Sequence, residues 1–256
     1  MKFDKYEDGI ACWADVSVQD MEKAKDFYSQ VFGWEMSIAP EPEADGYTQC
    51  LKDGEVVCGI FHSRNPDQPA AWNTYFASSD IKSTIEKANE FGGTIIMPPI
   101  EVMNYGITSA VQDPQGAFFG IWQAKDMVGS TVANEFDTVC WNELATTNLN
   151  EAKDFYRGLF DWQDSESNSP EYWQYDVAGS VRGGAREMSE DECTMMPPNW
   201  TIYFRVKDLG ETANKIEKSG GKILSDVMNA DKIEFRACSD NQGAMFLICQ
   251  FDEKDF

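Results

Sequence analysis

The sequence predicts an α+β fold built from four βαβββ modules in tandem, grouped as two homologous halves, and three observations carry that prediction. The stretch WADVSVQDMEKAKDFYSQVFGW (13–34) returns as WNELATTNLNEAKDFYRGLFDW (141–162), a displacement of 128 positions from Trp13 to Trp141. The same displacement joins WNTYFASSD from Trp72 to WTIYFRVKD from Trp200, and Gly92-Gly93 to Gly220-Gly221; DPQGAFFGIWQ answers to DNQGAMFLICQ with a one-residue slip. Each half also divides again, because 72–93 repeats the strand, acidic cap, helix and terminal glycine of 13–33 in weaker form.

The elements follow in order. In each module a short apolar strand leads into a helix that shows one face at three- and four-residue spacing. These faces are Met21, Ala24, Phe27, Tyr28 and Val31; Ile81, Ile85, Ala88 and Phe91; Leu149, Ala152, Phe155, Tyr156 and Leu159; and Leu209, Ala213 and Ile216. Asp20, Asp80, Asn148 and Asp208 stand at the N-cap positions, where a short side-chain oxygen takes up an otherwise unpaired backbone N–H. Glu151 and Glu211 fall three residues later, the spacing of a capping box. After each helix come short β-rich runs separated by turn signals at Gly46, Asp53-Gly54, Gln115-Gly116, Gly179 and Gln242-Gly243. The aperiodic stretch 124–135 reads as a linker. It places the halves at 1–128, with modules at about 8–66 and 70–124, and 129–256, with modules at about 135–190 and 198–251.

Composition narrows the partners. Forty-four acidic residues against 21 basic ones give a net charge of -23, so a phosphate backbone or an anionic membrane surface is repelled, and neither nucleic acid nor membrane is an expected partner of this acidic protein. The N-terminus MKFDKYEDGI lacks an apolar signal region, and no window approaches the roughly 20 apolar residues that cross a bilayer, so a cytoplasmic protein is expected. Seven cysteines, an odd number without a C-x-x-C pair, read as free thiols. No G-x-S-x-G, G-x-G-x-x-G or Walker motif is present.

Alternation splits each first strand into two faces. Cys12, Ala14, Val16 and Val18 form a face suited to packing under helices, leaving Trp13, Asp15 and Ser17 opposite. In the third module Trp141, Glu143 and Ala145 lie opposite Cys140, Asn142 and Leu144. In the fourth, Thr201, Tyr203 and Arg205 lie opposite Trp200, Ile202, Phe204 and Val206, and in the second Asn73, Tyr75 and Ala77 are left opposite. One face of each sheet is therefore mixed polar and aromatic, the composition of a small-molecule cleft.

Four βαβββ modules with FY late in the first helix, FGW or FDW after it, DPQG before the last strand and a CW-x-E-L opening resemble the glyoxalase/bleomycin resistance/extradiol dioxygenase superfamily, the vicinal oxygen chelate fold, over nearly the whole chain. The likeness is to a two-domain glyoxalase-like subgroup. The resemblance implies that modules pair into incomplete barrel-like domains, and that metal-dependent relatives carry ligands at positions matching Trp13, Asn73, Trp141, Thr201, Gly120 and Leu247 here. None of these six is a useful ligand for a divalent cation that wants carboxylate or imidazole, so no metal and no cofactor is expected. The one histidine, His62, stands in the run VVCGIFHSR, where an exposed or structural role competes with ligation or base chemistry.

The candidate catalytic residues are Glu143 and Asp15, inner-face carboxylates two positions beyond a lost ligand position. Desolvation would fit either for proton transfer near neutral pH. Structural pairing, with Arg205 as one partner for Glu143, and ligand contact without chemistry are the other roles open. The candidate ligand-binding residues are Trp13, Asn73, Tyr75, Trp141, Thr201, Tyr203 and Arg205; for the tryptophans, core packing competes with stacking on a flat ligand. The expected function is binding of a small aromatic or hydrophobic organic molecule, as a monomer or homodimer. The alternatives are a glyoxalase-like lyase, isomerase or hydroxylase using Glu143 or Asp15 as general base, and an interaction scaffold that holds no ligand.

Overall fold

The computed structural model describes residues 1–166, 169, 171–230 and 232–252; positions 253–256, the end of the second expected half, lie outside the described residues. The first sheet is formed by β1 (Ala11–Val18), β2 (Glu35–Ile38), β3 (Thr48–Lys52), β4 (Glu55–His62), β5 (Ala71–Ala77), β6 (Thr94–Val102), β7 (Gly106–Gln112) and β8 (Phe118–Ala124). Helix α1 (Met21–Phe32) follows β1 and α2 (Ile81–Glu90) follows β5. The second sheet repeats the plan with β9 (Thr138–Thr146), β10 (Gln163–Asp164), β11 (Tyr172–Val177), β12 (Ser180–Glu187), β13 (Asn199–Arg205), β14 (Lys222–Ile223), β15 (Met228–Ala230), β16 (Ile233–Ser239) and β17 (Met245–Gln250). Its helices are α3 (Leu149–Phe160) and α5 (Leu209–Lys218), with a short extra helix α4 (Glu190–Met195) between β12 and β13.

The strand orders are β2-β3-β4-β1-β5-β8-β7-β6 and β10-β11-β12-β9-β13-β17-β16-β14, with β15 added against β16. Two modules therefore join edge to edge within each half. The join is antiparallel, β1 to β5 and β9 to β13, and sets Asp15 opposite Asn73 and Glu143 opposite Thr201.

Helix termini follow the sequence signals. Asp20, Asp80, Asn148 and Asp208 each accept a backbone N–H of the first turn. Glu151 and Glu211 are drawn elsewhere: Glu151 accepts from Gln115 Nε2 and Glu211 pairs with Lys215, one turn on. The reciprocal capping box is found at α4, between Ser189 and Glu192.

The hydrophobic cores cross between halves. One unites α1 and its strands with α5, β13 and β17, through Phe27, Tyr28, Phe32 and Trp34 against Ile202, Phe204, Leu209 and Phe246. The other unites α2 and β8 with α3 and β11, through Phe76, Ile81 and Phe119 against Phe155, Tyr156, Trp162 and Trp173. The repeated motifs meet at these seams. Tyr28 Oη donates to Asp240 Oδ2 at 2.9 Å, and Tyr156 Oη donates to Asp113 Oδ2 at 3.0 Å, so each FY tyrosine is tied to the D-x-Q-G turn of the opposite half. Each Asp also accepts backbone N–H groups of its own turn, from Gly116 and Ala117 or from Gln242 and Ala244.

One expected face is altered. The register slips between Ala11 and Trp13, and between Tyr203 and Phe204 against β9, so Cys12 and Cys140 sit in β-bulges. Both thiols leave the helix-facing side; Cys12 packs with Trp13, Ala77 and Trp122, and Cys140 with Tyr203, Leu247 and Cys249.

Candidate functional site

Asp15 lies mid-strand in β1 and is 4% exposed. Its Oδ2 accepts from Tyr47 Oη at 3.2 Å and its Oδ1 from Asn73 Nδ2 at 3.0 Å, while Trp13 Nε1 donates to Tyr47 Oη at 2.9 Å. The Tyr75 hydroxyl is also close enough to interact electrostatically with this carboxyl. Two glycines make room for the tyrosines. A Cβ on Gly59 would stand 2.2 Å from Tyr47 Oη, and one on Gly120 would stand 2.0 Å from the Tyr75 ring.

Burial pushes the Asp15 carboxyl up to about 7; the bonds from Asn73 and the tyrosines pull it down but do not offset the lost hydration. Among the described residues no lysine or arginine helps to stabilise its charge. Burial likewise pushes the Tyr47 and Tyr75 hydroxyls well up, so both remain donors at neutral pH.

The second half repeats the arrangement with one change. Glu143 Oε2 accepts from Tyr172 Oη at 2.8 Å, Trp141 Nε1 donates to that hydroxyl at 3.1 Å, and burial together with the Glu143 charge pushes the Tyr203 hydroxyl well up. Gly184 lies under Tyr172 as Gly59 lies under Tyr47. Here, however, Arg186 Nε donates to Glu143 Oε1 at 3.2 Å, and its other nitrogens grip both oxygens of Glu192 at 2.9 and 2.7 Å. Arg186 holds the Glu192 carboxyl down to about 2. In the first half the matching position is Phe61, since β4 pairs Gly59 with Asp15 and β12 pairs Gly184 with Glu143, two residues earlier in each strand. One carboxylate is thus compensated and the other is not.

Arg205, expected beside Glu143, is elsewhere. It shares the concave side, as alternation requires, but it pairs with Thr138, four residues along β13 from Thr201. Its guanidinium donates to Asn134 O at 3.0 Å and Phe251 O at 3.3 Å, between the rings of Phe136 and Phe251. Thr201 lies opposite Glu143, but its hydroxyl donates to Asn199 Oδ1. Trp13 is buried and Trp141 half-buried on the concave faces; Trp72 and Trp200 belong to the cores between the halves. His62 is exposed at the end of β4. Tyr47, Tyr172, Phe61 and Arg186 were not singled out from sequence. The traces they leave are the paired Y-x-Q steps at Tyr47 and Tyr172 and the paired glycines Gly59 and Gly184.

The donor set does not fit a divalent cation. Indole, amide, hydroxyl, glycine and leucine occupy the six matching positions, and the Tyr75 ring covers Gly120. Among the described residues no group of three His, Cys, Asp or Glu side chains is placed to hold a metal ion.

Comparison with known proteins places the fold. The sequence pattern of the Glyoxalase/Bleomycin resistance protein/Dioxygenase superfamily matches residues 11–121. The chain is 32% identical over 254 residues to "Putative glyoxylase CFP32" of Mycobacterium tuberculosis, covering 96% of this chain and 97% of that protein. It is 26% identical over 267 residues to anthracycline biosynthesis protein DauV of Streptomyces sp. (strain C5), covering 97% and 96%. Among solved structures, the Mn(II)-bound glyoxalase from Novosphingobium aromaticivorans superposes with a TM-score of 0.65 at 12% identity, over 95% of this chain and 83% of that one. The chain belongs to the glyoxalase/bleomycin resistance/dioxygenase superfamily, with two domains of the vicinal oxygen chelate fold. No helix among the described residues is long and apolar enough to cross a membrane.

Arg186 has a measurable structural consequence. Arg186→Gln strands Glu143, whose side chain is only 12% exposed, and releases Glu192, so a loss of about 2 kcal/mol in urea unfolding at pH 7 is expected. Adding Glu143→Gln is expected to restore part of that loss, and strictly additive single and double variants would show the two groups to be uncoupled. The Glu192 contribution is present above pH 4.5 and is lost as pH falls toward 2, because its folded carboxyl is held down.

Proposed function

We propose that the chain binds a small aromatic or hydrophobic organic molecule on the concave face of its first half, with Asp15 as the group that exchanges a proton or hydrogen bond with it. The observation that carries this is the Asp15 carboxyl, buried among Trp13, Tyr47, Asn73 and Tyr75 with no cationic partner among the described residues, and pushed by burial up to about 7. A carboxyl poised near neutral pH is suited to recognition or proton transfer. Phe61, half-buried and stacked beside Tyr47 at 6.5 Å and 12°, adds an aromatic surface where the second half has a guanidinium. The printed names of the relatives, a glyoxylase and an anthracycline biosynthesis protein, agree with small-organic-molecule chemistry.

The same carboxyl supports a second reading: a glyoxalase-like lyase, isomerase or hydroxylase in which Asp15 is the proton acceptor, a task suited to a pKa near the working pH. Glu143, compensated by Arg186, fits the structural role better.

Tryptophan fluorescence titration with flat phenols, quinones and dicarbonyls tests both readings. Binding is expected to change through pH 6–8 in the wild type and to lose that dependence in Asp15→Asn, with any turnover abolished. Affinity that is flat with pH in the wild type, or that survives Trp13→Phe and Phe61→Ala unchanged, would remove the first half as the site.

A further inference from the structure

The first sheet ends on β2 at one side and on β6 at the other, and among the described residues no strand pairing joins these two ends. Side-chain ties cross the opening instead. Tyr105, in the turn between β6 and β7, donates through Oη to Glu41 Oε1 at 3.0 Å, and Gln49 Nε2 of β3 donates to Met127 Sδ at 3.6 Å. Gln49 pairs with Gly59 and Gly59 with Asp15, so the Met127 contact lies in the strand row of Asp15 itself. Tyr105 and Met127 pack in the cluster of Trp13 and Trp122, and Asp15 is left 4% exposed. A ligand reaches that carboxyl only if part of the cover moves.

The two sides of the opening are anchored unequally. On the β6 side the turn is pinned to 125–127 by backbone bonds: Lys125 N and Met127 N donate to Tyr105 O at 2.9 and 3.1 Å, and Asp126 N donates to Asn104 O at 3.2 Å. Trp122 Nε1 adds a bond to Met127 O at 2.9 Å. On the β2 side, loop 39–47 is bonded mainly to itself, with Ala44 N donating to Glu41 O, Tyr47 N to Ala44 O and Ala39 N to Tyr47 O. Its outward ties are Glu41 to Tyr105, Tyr47 to Asp15 and Trp13, and an exposed pair of Asp45 with Arg64, a kind of contact that adds little. The Glu41 tie is itself imperfect, because Oε2 is buried with no hydrogen-bond partner among the described residues, a cost borne by the closed arrangement.

We infer that loop 39–47 is a latched cover that swings as one piece, releasing Glu41 from Tyr105 and carrying Tyr47 away from Asp15 and Trp13, and that ligands enter by this motion. The entry step rests on the ligand reading of Asp15; the motion itself does not. Opening frees Asp15 Oδ2 and admits water in the same movement, so the carboxyl meets an incoming molecule with one oxygen unoccupied.

Indole N–H exchange on the nitrogen-15-labelled full chain, followed by NMR, tests the motion without any ligand. Tyr105→Phe keeps the ring and removes only the hydroxyl that reaches Glu41; Glu41→Ala removes the other partner, whose side chain caps nothing in its own short turn at Pro42–Ala44. Both variants are expected to speed exchange at Trp13 Nε1, which is bonded to Tyr47 and not to either altered residue, by at least about tenfold. Trp122, held on the anchored side, and Trp34 and Trp162, bonded to Asp137 O and Gly9 O, are expected to stay within about twofold. Stopped-flow quenching of tryptophan fluorescence by 2-naphthol reads the entry step. Association is expected to quicken by the same factor as Trp13 exchange, with dissociation within about twofold of wild type, because the ligand occupies the open form. Trp13 exchange unchanged in Tyr105→Phe, or equal acceleration at Trp122, would overturn the swinging loop, and faster exchange with unchanged 2-naphthol association would overturn its role in entry. Faster Trp13 exchange in proteins that bind no 2-naphthol would uphold the motion and count against the ligand reading alone.

Discussion

Asp15→Asn is expected to make the protein more stable at pH 8, by about 3 kcal/mol, while leaving it nearly unchanged at pH 4. The carboxyl moves from an ordinary 3.8 to about 7 on folding. At 1.36 kcal/mol per unit, keeping it ionised in the folded chain costs about 4 kcal/mol at pH 8, from which weaker bonding of an amide to Tyr47 and Asn73 subtracts. The sign follows from the direction of the shift. A raised folded pKa means that stability is full below 3.8, declines as pH rises, and reaches its floor once pH passes about 7. Urea unfolding of wild type and variant at pH 4, 6 and 8 should give curves that diverge upward in pH. Equal stabilities at pH 8 would mean that Asp15 is hydrated or compensated in solution, and the functional reading of the site would lose its support. A substitution that stabilises the fold while removing ligand or turnover would mark Asp15 as a residue kept against the interest of stability.

Trp162→Ala is expected to cost about 4 kcal/mol, the upper range for deleting a buried aromatic. Trp162 is 1% exposed, stacks on Tyr175 with ring centres 3.6 Å apart and planes 5° apart, and donates through Nε1 to Gly9 O at 2.9 Å. Alanine would leave a void bordered by Phe76, Phe160 and Tyr156, together with an unpaired carbonyl. Trp141→Phe keeps most of its packing in a half-buried position and gives up one bond to Tyr172, so a loss below about 1.5 kcal/mol is expected. Chemical denaturation of both variants separates the two tryptophans that bound the repeated unit. Equal losses would place Trp141 in a core role as well.

The repeat made most of the fold legible. A displacement kept at Trp13, Trp72 and Gly92 fixed the module count, and cap residues fixed the helix starts, because both are local properties of the chain. Alternation placed Asp15, Asn73, Tyr75, Glu143 and Tyr203 on one side correctly. It failed where the pattern depends on partners distant in sequence. Bulges at Cys12 and Cys140 break the alternation without a glycine to announce them. For Glu143 the strand faces point to β13, where Arg205 has the right parity but the wrong height; the partner lies on β12, whose parallel pairing with β9 brings Arg186 close. Strand order decides that choice, and strand order is not written in the spacing of one strand. The FY and D-x-Q-G motifs were visible from the start as family marks; that they clasp one another across the halves required the fold.

The crossed cores also govern how the chain is made. Helix α1 finds its cover in residues 202–248, and α3 closes the core that α2 and β8 leave open, so neither apolar seam is complete when the first half has been synthesised. At roughly 5–20 residues per second, Phe27, Phe32 and Trp34 wait on the order of ten seconds or more for Phe204 and Phe246 to leave the ribosome. During that interval the nascent first half presents a sticky helical face to its surroundings. Duplication that built a two-domain protein thereby tied its first translated helix to its last strand, and made the two halves obligate companions in birth as well as in the finished structure.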